Sequence, residues 1–258
     1  MTSQFEIKPI RLALHKPADA VVQTEDPASL RELFSRVAGP IRLRAAQGRD
    51  GARAADLVTR IEEFVDLAAS VDAQYGADAR LPIADIAGAV DEALRSLAEL
   101  EQELIRLEFP ESAVDLYALA IGIGYWAMCH QEPIGAVEII VNALAAKANA
   151  AESRQETAAT YALMQGFIAH FKPGLGADLE RSNPERPWRL LNLNFAITAI
   201  RTGDVPMIRF AFDTLNDHLP DERAGFYAEA YALACQPGFP AETRSLIEAE
   251  HANWTPAH

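Results

Sequence analysis

The residues of this chain best suited to chemistry are six histidines (His15, His130, His170, His218, His251 and His258) and two cysteines (Cys129 and Cys235). A zinc protease would place histidines in an HExxH run, a structural zinc would use CxxC pairs, and phosphate binding would need a glycine-rich loop. None of these is present. A di-iron bundle needs two Glu-x-x-His pairs with further carboxylates on facing helices, and only Glu248-Ala-Glu-His251 has that spacing. Cys129 and His130 are adjacent, so on a helix their side chains diverge by about 100° and make no nucleophile–base pair by themselves. His130, followed by Gln131-Glu132, suits a helix end, where an imidazolium complements the C-terminal dipole. Gly122-Ile-Gly124 is too short for a dinucleotide fingerprint and suits close packing inside a helix. The sequence thus assigns no catalytic residue, no metal and no cofactor. A site built from scattered helical residues would have to draw on Trp126, His130, Tyr161 and His170.

The elements that would position these groups are helices throughout. Residues 1–27 are expected to be a poorly structured arm, in which Phe5, Ile7, Ile10, Leu12 and Leu14 partly alternate and Pro9 interrupts. A short helix after Asp26-Pro27 carries Leu30, Leu33, Phe34 and Val37 and is expected to stop by Gly39-Pro40. Two long helices follow. In the first, about Ala52 to Tyr75, the apolar residues Leu57, Ile61, Phe64, Ala68, Val71 and Tyr75 recur at steps of four and three. In the second, about Pro82 to Leu107, Ile86, Val90, Ala93, Leu97, Leu100, Leu104 and Leu107 do the same. Such steps keep one narrow seam facing a partner helix. The short linker between them favours an intramolecular antiparallel hairpin. The alternative is a homodimer through the seams of residues 53–108.

From Ser112 the helices shorten and the turns tighten. Helical pairs are expected to begin near Val114, Arg154, Trp188 and Glu222, the last three 34 residues apart. The second pair would run from Arg154 to His170 and return from Gly174 to Arg181. A recurrence of this period is the mark of stacked helix–turn–helix units that bury their apolar faces on one another. The domains expected are an arm at 1–27, a helical region with the long hairpin at 28–110, and repeats at 111–258.

Charge and composition exclude several classes. The chain of 258 residues is half apolar and carries a formal charge of −14. Between Ala28 and Arg60, seven arginines (31, 36, 42, 44, 49, 53 and 60) against three acids make that window +4, leaving −18 elsewhere. An acidic body repels phosphate backbones, so no nucleic-acid partner is expected. The arginines either meet an acidic partner or neutralise the chain's own acids. No apolar run reaches the roughly 18 residues of a membrane span. The start Met-Thr-Ser-Gln-Phe-Glu lacks a secretory signal, and two cysteines are too few for a disulfide framework. A cytoplasmic protein without a membrane partner is expected.

The third pair carries a family resemblance. Phe195-Ala196 supplies a large residue followed by a small one, Gly203-Asp204 an inter-helix turn, Phe212 an aromatic in the second helix, and Pro220 a terminating proline. The first pair matches through Ile123-Gly124, Ala136, Ile140 and Ala143, the fourth through Phe226, Ala230 and Leu233, and the second through Tyr161, Met164 and Ala177. Residues 112–254 therefore resemble the tetratricopeptide family of helical-hairpin repeats. They depart from it at the tryptophan position, which holds Ala120 and Asn192 in two units. The resemblance implies an all-α fold: a right-handed α–α superhelix of helical hairpins, following the long antiparallel hairpin. It also implies a concave groove lined by the first helix of each pair. Groove positions would be Tyr125, Met128 and Cys129, then Gly166 and His170, then Leu193, Ile197 and Arg201, and finally Tyr227 and Tyr231. The lysine and asparagine clamp with which some members grip a terminal carboxylate is missing. The function expected is a non-enzymatic scaffold or chaperone-like adaptor binding an apolar peptide or amphipathic helix of another protein. The alternative is an α-helical enzyme or small-molecule binder with a scattered site.

Overall fold

In the computed structural model, residues 27–46, 51–77, 79–81, 85–107, 113–235 and 239–254 are described. They form ten helices and, among the described residues, no strand: α1 (Pro27–Ala46), α2 (Ala52–Tyr75), α3 (Ile86–Arg106), α4 (Ala113–Cys129), α5 (Glu138–Ala150), α6 (Arg154–Leu175), α7 (Pro187–Thr202), α8 (Val205–His218), α9 (Arg223–Ala234) and α10 (Ala241–Trp254). The all-α expectation is met. The N-terminal arm, with Pro9, and the expected first turn at Pro82 lie outside the described residues. The helices divide into two compact units, one of residues 23–146 with 169–173 and the other of 147–168 with 174–258, and the boundary falls inside α5 and α6.

The first unit is a ring of four helices in which α2 packs on α1 and α3, and α4 packs on α1 and α3. Each helix supplies an apolar stripe to the centre. On α1, Leu30, Leu33, Phe34, Val37, Ala38 and Ile41 are all buried, recurring at the helical period. That stripe explains a departure from expectation: α1 runs through Gly39-Pro40 to Ala46. Both interrupting residues are exposed, so the kinking tendency of proline is borne on the solvent side while Ile41 keeps its place in the core. The seams of α2 and α3 are buried from Leu57 to Val71 and from Ile86 to Leu107. The core also takes Ala54, Val58 and Val65 of α2 and Leu94 and Ser96 of α3, because each helix faces two neighbours and not one. Pairing two chains through the 53–108 seams would require opening this core.

Five of the seven arginines in the basic window pair with acids of the same unit. Arg31 meets Asp66 at 2.7 Å, Arg36 meets Asp115 at 3.3 Å, and Arg42 meets Glu62. Arg53 meets Glu99 at 3.2 Å and Glu103 at 3.6 Å, and Arg60 meets Glu92 at 3.1 Å. Each of these arginines is about half exposed, so each pair is worth only ~0–1 kcal/mol. Their effect is on charge: the arginines neutralise acids of α2, α3 and α4.

In the second unit, Gly203 ends α7 at φ 66° and Asp204 caps α8 by accepting from the Met207 amide at 3.0 Å. This is the turn expected at Thr202-Gly203-Asp204. The positive φ favours glycine here, and a Cβ on Gly203 would also press on the Arg154 guanidinium at 3.0 Å. The second helix expected over Gly174–Arg181 is not formed. Helix α6 continues to Leu175, and residues 176–186 are a turn-rich loop. Asp178 takes φ 44° there, a conformation no helix accommodates. With that helix missing, α6 packs directly on α7. Arg154 at the start of α6 donates to the carbonyl of Thr202 at the end of α7 (2.6 Å), and Tyr161 stacks on Phe195 at 4.6 Å. The two helices therefore run in opposite directions.

Candidate functional site

Contacts between α6 and α7 join Arg154 to Thr202, Tyr161 to Phe195 and the Thr198 hydroxyl to the Met164 sulfur (3.6 Å), and they leave Ala159, Leu163 and Gly166 of α6 and Leu190, Asn194 and Ile197 of α7 partly accessible. All six are half-buried. On α7 the half-buried residues Leu190, Asn194, Ile197 and Arg201 recur at steps of four, three and four, and every other residue from Trp188 to Thr202 is buried. One helix, buried on its other sides, thus presents a single partly accessible stripe in which Leu190 and Ile197 alternate with Asn194 and Arg201. Arg201 closes one end. It donates to the carbonyls of Ala148 and, at 3.2 Å, Ala151, capping α5, and burial holds its guanidinium below its ordinary pKa.

Of the groove residues expected from the sequence, Ile197 and Arg201 lie on this face. Tyr125, Met128 and His170 are half-buried in the other unit, and His170 donates from Nε2 to the carbonyl of Glu132 at 2.9 Å. Leu193 is buried. Tyr227 is fully buried, edge-on to Phe212 (5.2 Å) and Phe226 (5.3 Å), with its hydroxyl donating to Asn216 Oδ1 at 3.1 Å. It is a core residue of the α8–α9 contact and not a groove residue. Burial, with Glu250 nearby, raises its pKa. Tyr231 keeps solvent access and stacks on His251 at 4.5 Å. The pair gives a clean contrast: Tyr227→Ser should cost about 3–5 kcal/mol of stability, whereas Tyr231→Ser should stay within about 1 kcal/mol. Urea unfolding of the two variants measures this, and equal losses would place Tyr227 outside the core.

The residues that could have formed a scattered catalytic site do partly converge. Trp126 and His130 both meet Asp72 of α2, which sequence spacing gave no means of finding. Trp126 Nε1 donates to both carboxylate oxygens (3.0 and 3.1 Å), and His130 Nε2 lies 2.8 Å from Oδ1. His130 Nδ1 donates to the carbonyl of Ala79 at 2.7 Å. The His130 position follows from how α4 ends: Gln131 adopts φ 59°, its amide bonds the Met128 carbonyl, and the Glu132 amide bonds the Ala127 carbonyl. This is a Schellman motif, with His130 at the C-cap. The loop beyond is held by Asp91, which accepts from the amides of Gly135 (2.8 Å) and Ala136 (3.0 Å). A Cβ at Gly135 would sit 2.6 Å from that carboxylate. Every polar atom of the His130 cluster is spent on the protein, and His130 itself has no solvent exposure. The cluster pins α2, the linker after it and α4 together.

Tyr161 belongs to the other unit. Its hydroxyl donates to the Met207 carbonyl at 3.3 Å, and its pKa is pushed up to about 12, first by burial and then by Asp204. Among the described residues no group of three or more His, Cys, Asp or Glu could hold a metal ion, and no helix is long and apolar enough to cross a membrane. No protein-family model, curated protein or solved structure matches the chain.

Proposed function

We propose that this chain is a non-enzymatic protein-interaction module, a scaffold or chaperone-like adaptor that receives an apolar peptide or amphipathic helix of another protein on the α6–α7 face. The observation that carries this reading is the stripe Leu190, Asn194, Ile197 and Arg201, which stays partly accessible on a helix otherwise buried from Trp188 to Thr202. An amphipathic helix reads such a stripe through apolar residues at i, i+3 or i+4, and i+7. Ala159 and Gly166, partly accessible on α6, are small enough to let its backbone approach closely. The tetratricopeptide-like reading belongs to the same proposal, since α7 is the first helix of its pair and such helices line the groove of those repeats. With so few cysteines and no membrane-crossing helix among the described residues, we place the module in the cytoplasm.

Selection of helical peptides from a display library on the intact protein tests the reading. The peptides recovered should share an apolar stripe. Their affinity should fall at least about tenfold, or ~1.4 kcal/mol, on Leu163→Asp and on Ile197→Asp. Recovery of no such peptides, or undiminished binding to both variants, would remove the α6–α7 face as the docking site.

A further inference from the structure

His130 is sealed from solvent, yet both of its ring nitrogens face acceptors. Nδ1 lies 2.7 Å from the Ala79 carbonyl oxygen, which has no hydrogen to give, so Nδ1 itself carries one. Nε2 lies 2.8 Å from Asp72 Oδ1, and that contact needs a hydrogen as well. Trp126 Nε1 donates to both Asp72 oxygens, at 3.0 and 3.1 Å, and such donors favour the ionised carboxylate. The hydrogen between Asp72 and His130 therefore belongs to Nε2. A ring with hydrogen on both nitrogens is an imidazolium. Its place at the C-cap of α4, where Gln131 turns to φ 59°, also favours a cation. Burial by itself opposes the charge, and the bonded carboxylate offsets that penalty.

We propose that His130 is a proton-held latch, which joins α2, the linker after it and the end of α4 as an imidazolium and lets go when the proton leaves on the alkaline side. A neutral imidazole has one N–H. It donates to Ala79 or to Asp72, and the acceptor left over then faces a bare nitrogen inside the core, at the cost of an unmade bond. The ionisable groups on the segments around the ring are Asp72 and Tyr75 of α2, Arg80 of the linker, Asp91 of α3, Cys129 of α4, Glu132 beyond it and His170 of α6. Arg80 is exposed, Tyr75 accepts from Gln74, Asp91 accepts from the amides of Gly135 and Ala136, and His170 donates to the Glu132 carbonyl. Both ring nitrogens are engaged, and Asp72 is the counter-charge bonded to them. An unfolded histidine releases its proton near pH ~6.5, so above that value the folded unit holds one proton more than the unfolded chain. The stabilisation is therefore full below about pH 6.5 and declines as pH rises, with a limiting slope of about tenfold in the folding constant per pH unit. The α6–α7 face takes no part in the latch, so this inference stands apart from the docking reading.

Proton–nitrogen correlation spectra of the intact protein, with isotope-labelled histidine, read the ring directly. The His130 ring is recognised by its contact with the Trp126 indole, 4.4 Å away, so the assignment needs no variant. At about pH 7.5, where an ordinary histidine has one bare nitrogen, both nitrogens of His130 should carry hydrogen. Urea unfolding gives a second readout. For each pH unit between about 7 and 8, the folding constant of the wild type should fall about fivefold more than that of His130→Gln. Asp72→Asn, which removes the counter-charge, takes the place of His130→Gln if the latter does not fold. A bare ring nitrogen at about pH 7.5, or parallel pH curves for the wild type and the variant, overturns the proposal.

Discussion

Arg186→Met is expected to lower the unfolding free energy of its unit by about 3–5 kcal/mol. The substitution leaves Asp178, itself nearly inaccessible, as an uncompensated charge, and it removes the donors to the carbonyls of Arg181 and Asn183. Glu222, 3.6 Å from Arg186, keeps only Arg189. Lysine should not rescue the loss, because an ammonium cannot reproduce the two parallel bonds to Asp178 or reach both carbonyls at once. Adding Asp178→Asn to Arg186→Met should recover part of the loss, since the orphaned charge is then gone and asparagine tolerates the positive φ of that position. Urea denaturation followed by circular dichroism measures all three. A loss below about 1 kcal/mol for Arg186→Met would mean that water replaces the guanidinium and the loop is not rigidly held.

The second large effect is expected at the His130 cluster. His130→Leu should cost about 3 kcal/mol, although the side chain is of similar size and the site is buried, because it strips one partner from Asp72 and the only side-chain partner shown for the Ala79 carbonyl. Asp72→Asn should cost less. It retains an acceptor for Trp126 and for one His130 nitrogen while removing the charge. The double variant should be milder than the sum of the singles by about 1.5–3 kcal/mol, the mark of residues sharing one network. Trp126 stands 4.4 Å from the His130 ring and edge-on to Phe64 at 5.5 Å, so its fluorescence reports this unit directly. Additive losses would show that the two side chains act independently and that the cluster is not a single pin.

Much of the secondary structure was legible because helical periodicity is a property of contiguous residues. Helix α2 spans Ala52–Tyr75 as its apolar spacing required, and the starts of α4, α6, α7 and α9 fall within one residue of the recurring positions. The turn at Gly203-Asp204 was legible for the same reason: a left-handed C-cap and an aspartate N-cap are written in adjacent residues. The two misreadings share a cause. Gly39-Pro40 and Lys172-Pro173-Gly174 carry local breaking signals, yet α1 and α6 run through them, because the breaking residues are exposed and the core residues around them keep the helix in place. Propensity is a local term of at most about 3 kcal/mol for proline, and tertiary burial can exceed it.

The candidate site was less legible. Ile197 and Arg201 were expected from the family resemblance, whereas Leu163, Leu190 and Asn194 were not, since the contact of α6 with α7 arose only when the expected helix at 174–181 failed to form. Tyr227 was misassigned because an aromatic at a groove spacing and an aromatic at a core spacing differ by which neighbour covers them, here Phe212 and Phe226. By itself the sequence determined the all-helical class, most helix limits and the lack of short catalytic or metal-binding motifs. The tertiary structure alone decided which arginines meet which acids, that Asp72 joins Trp126 and His130 across more than 50 positions of chain, and which face of α7 stays open. Those outcomes depend on pairings between distant helices, and no periodicity along one helix encodes its neighbour.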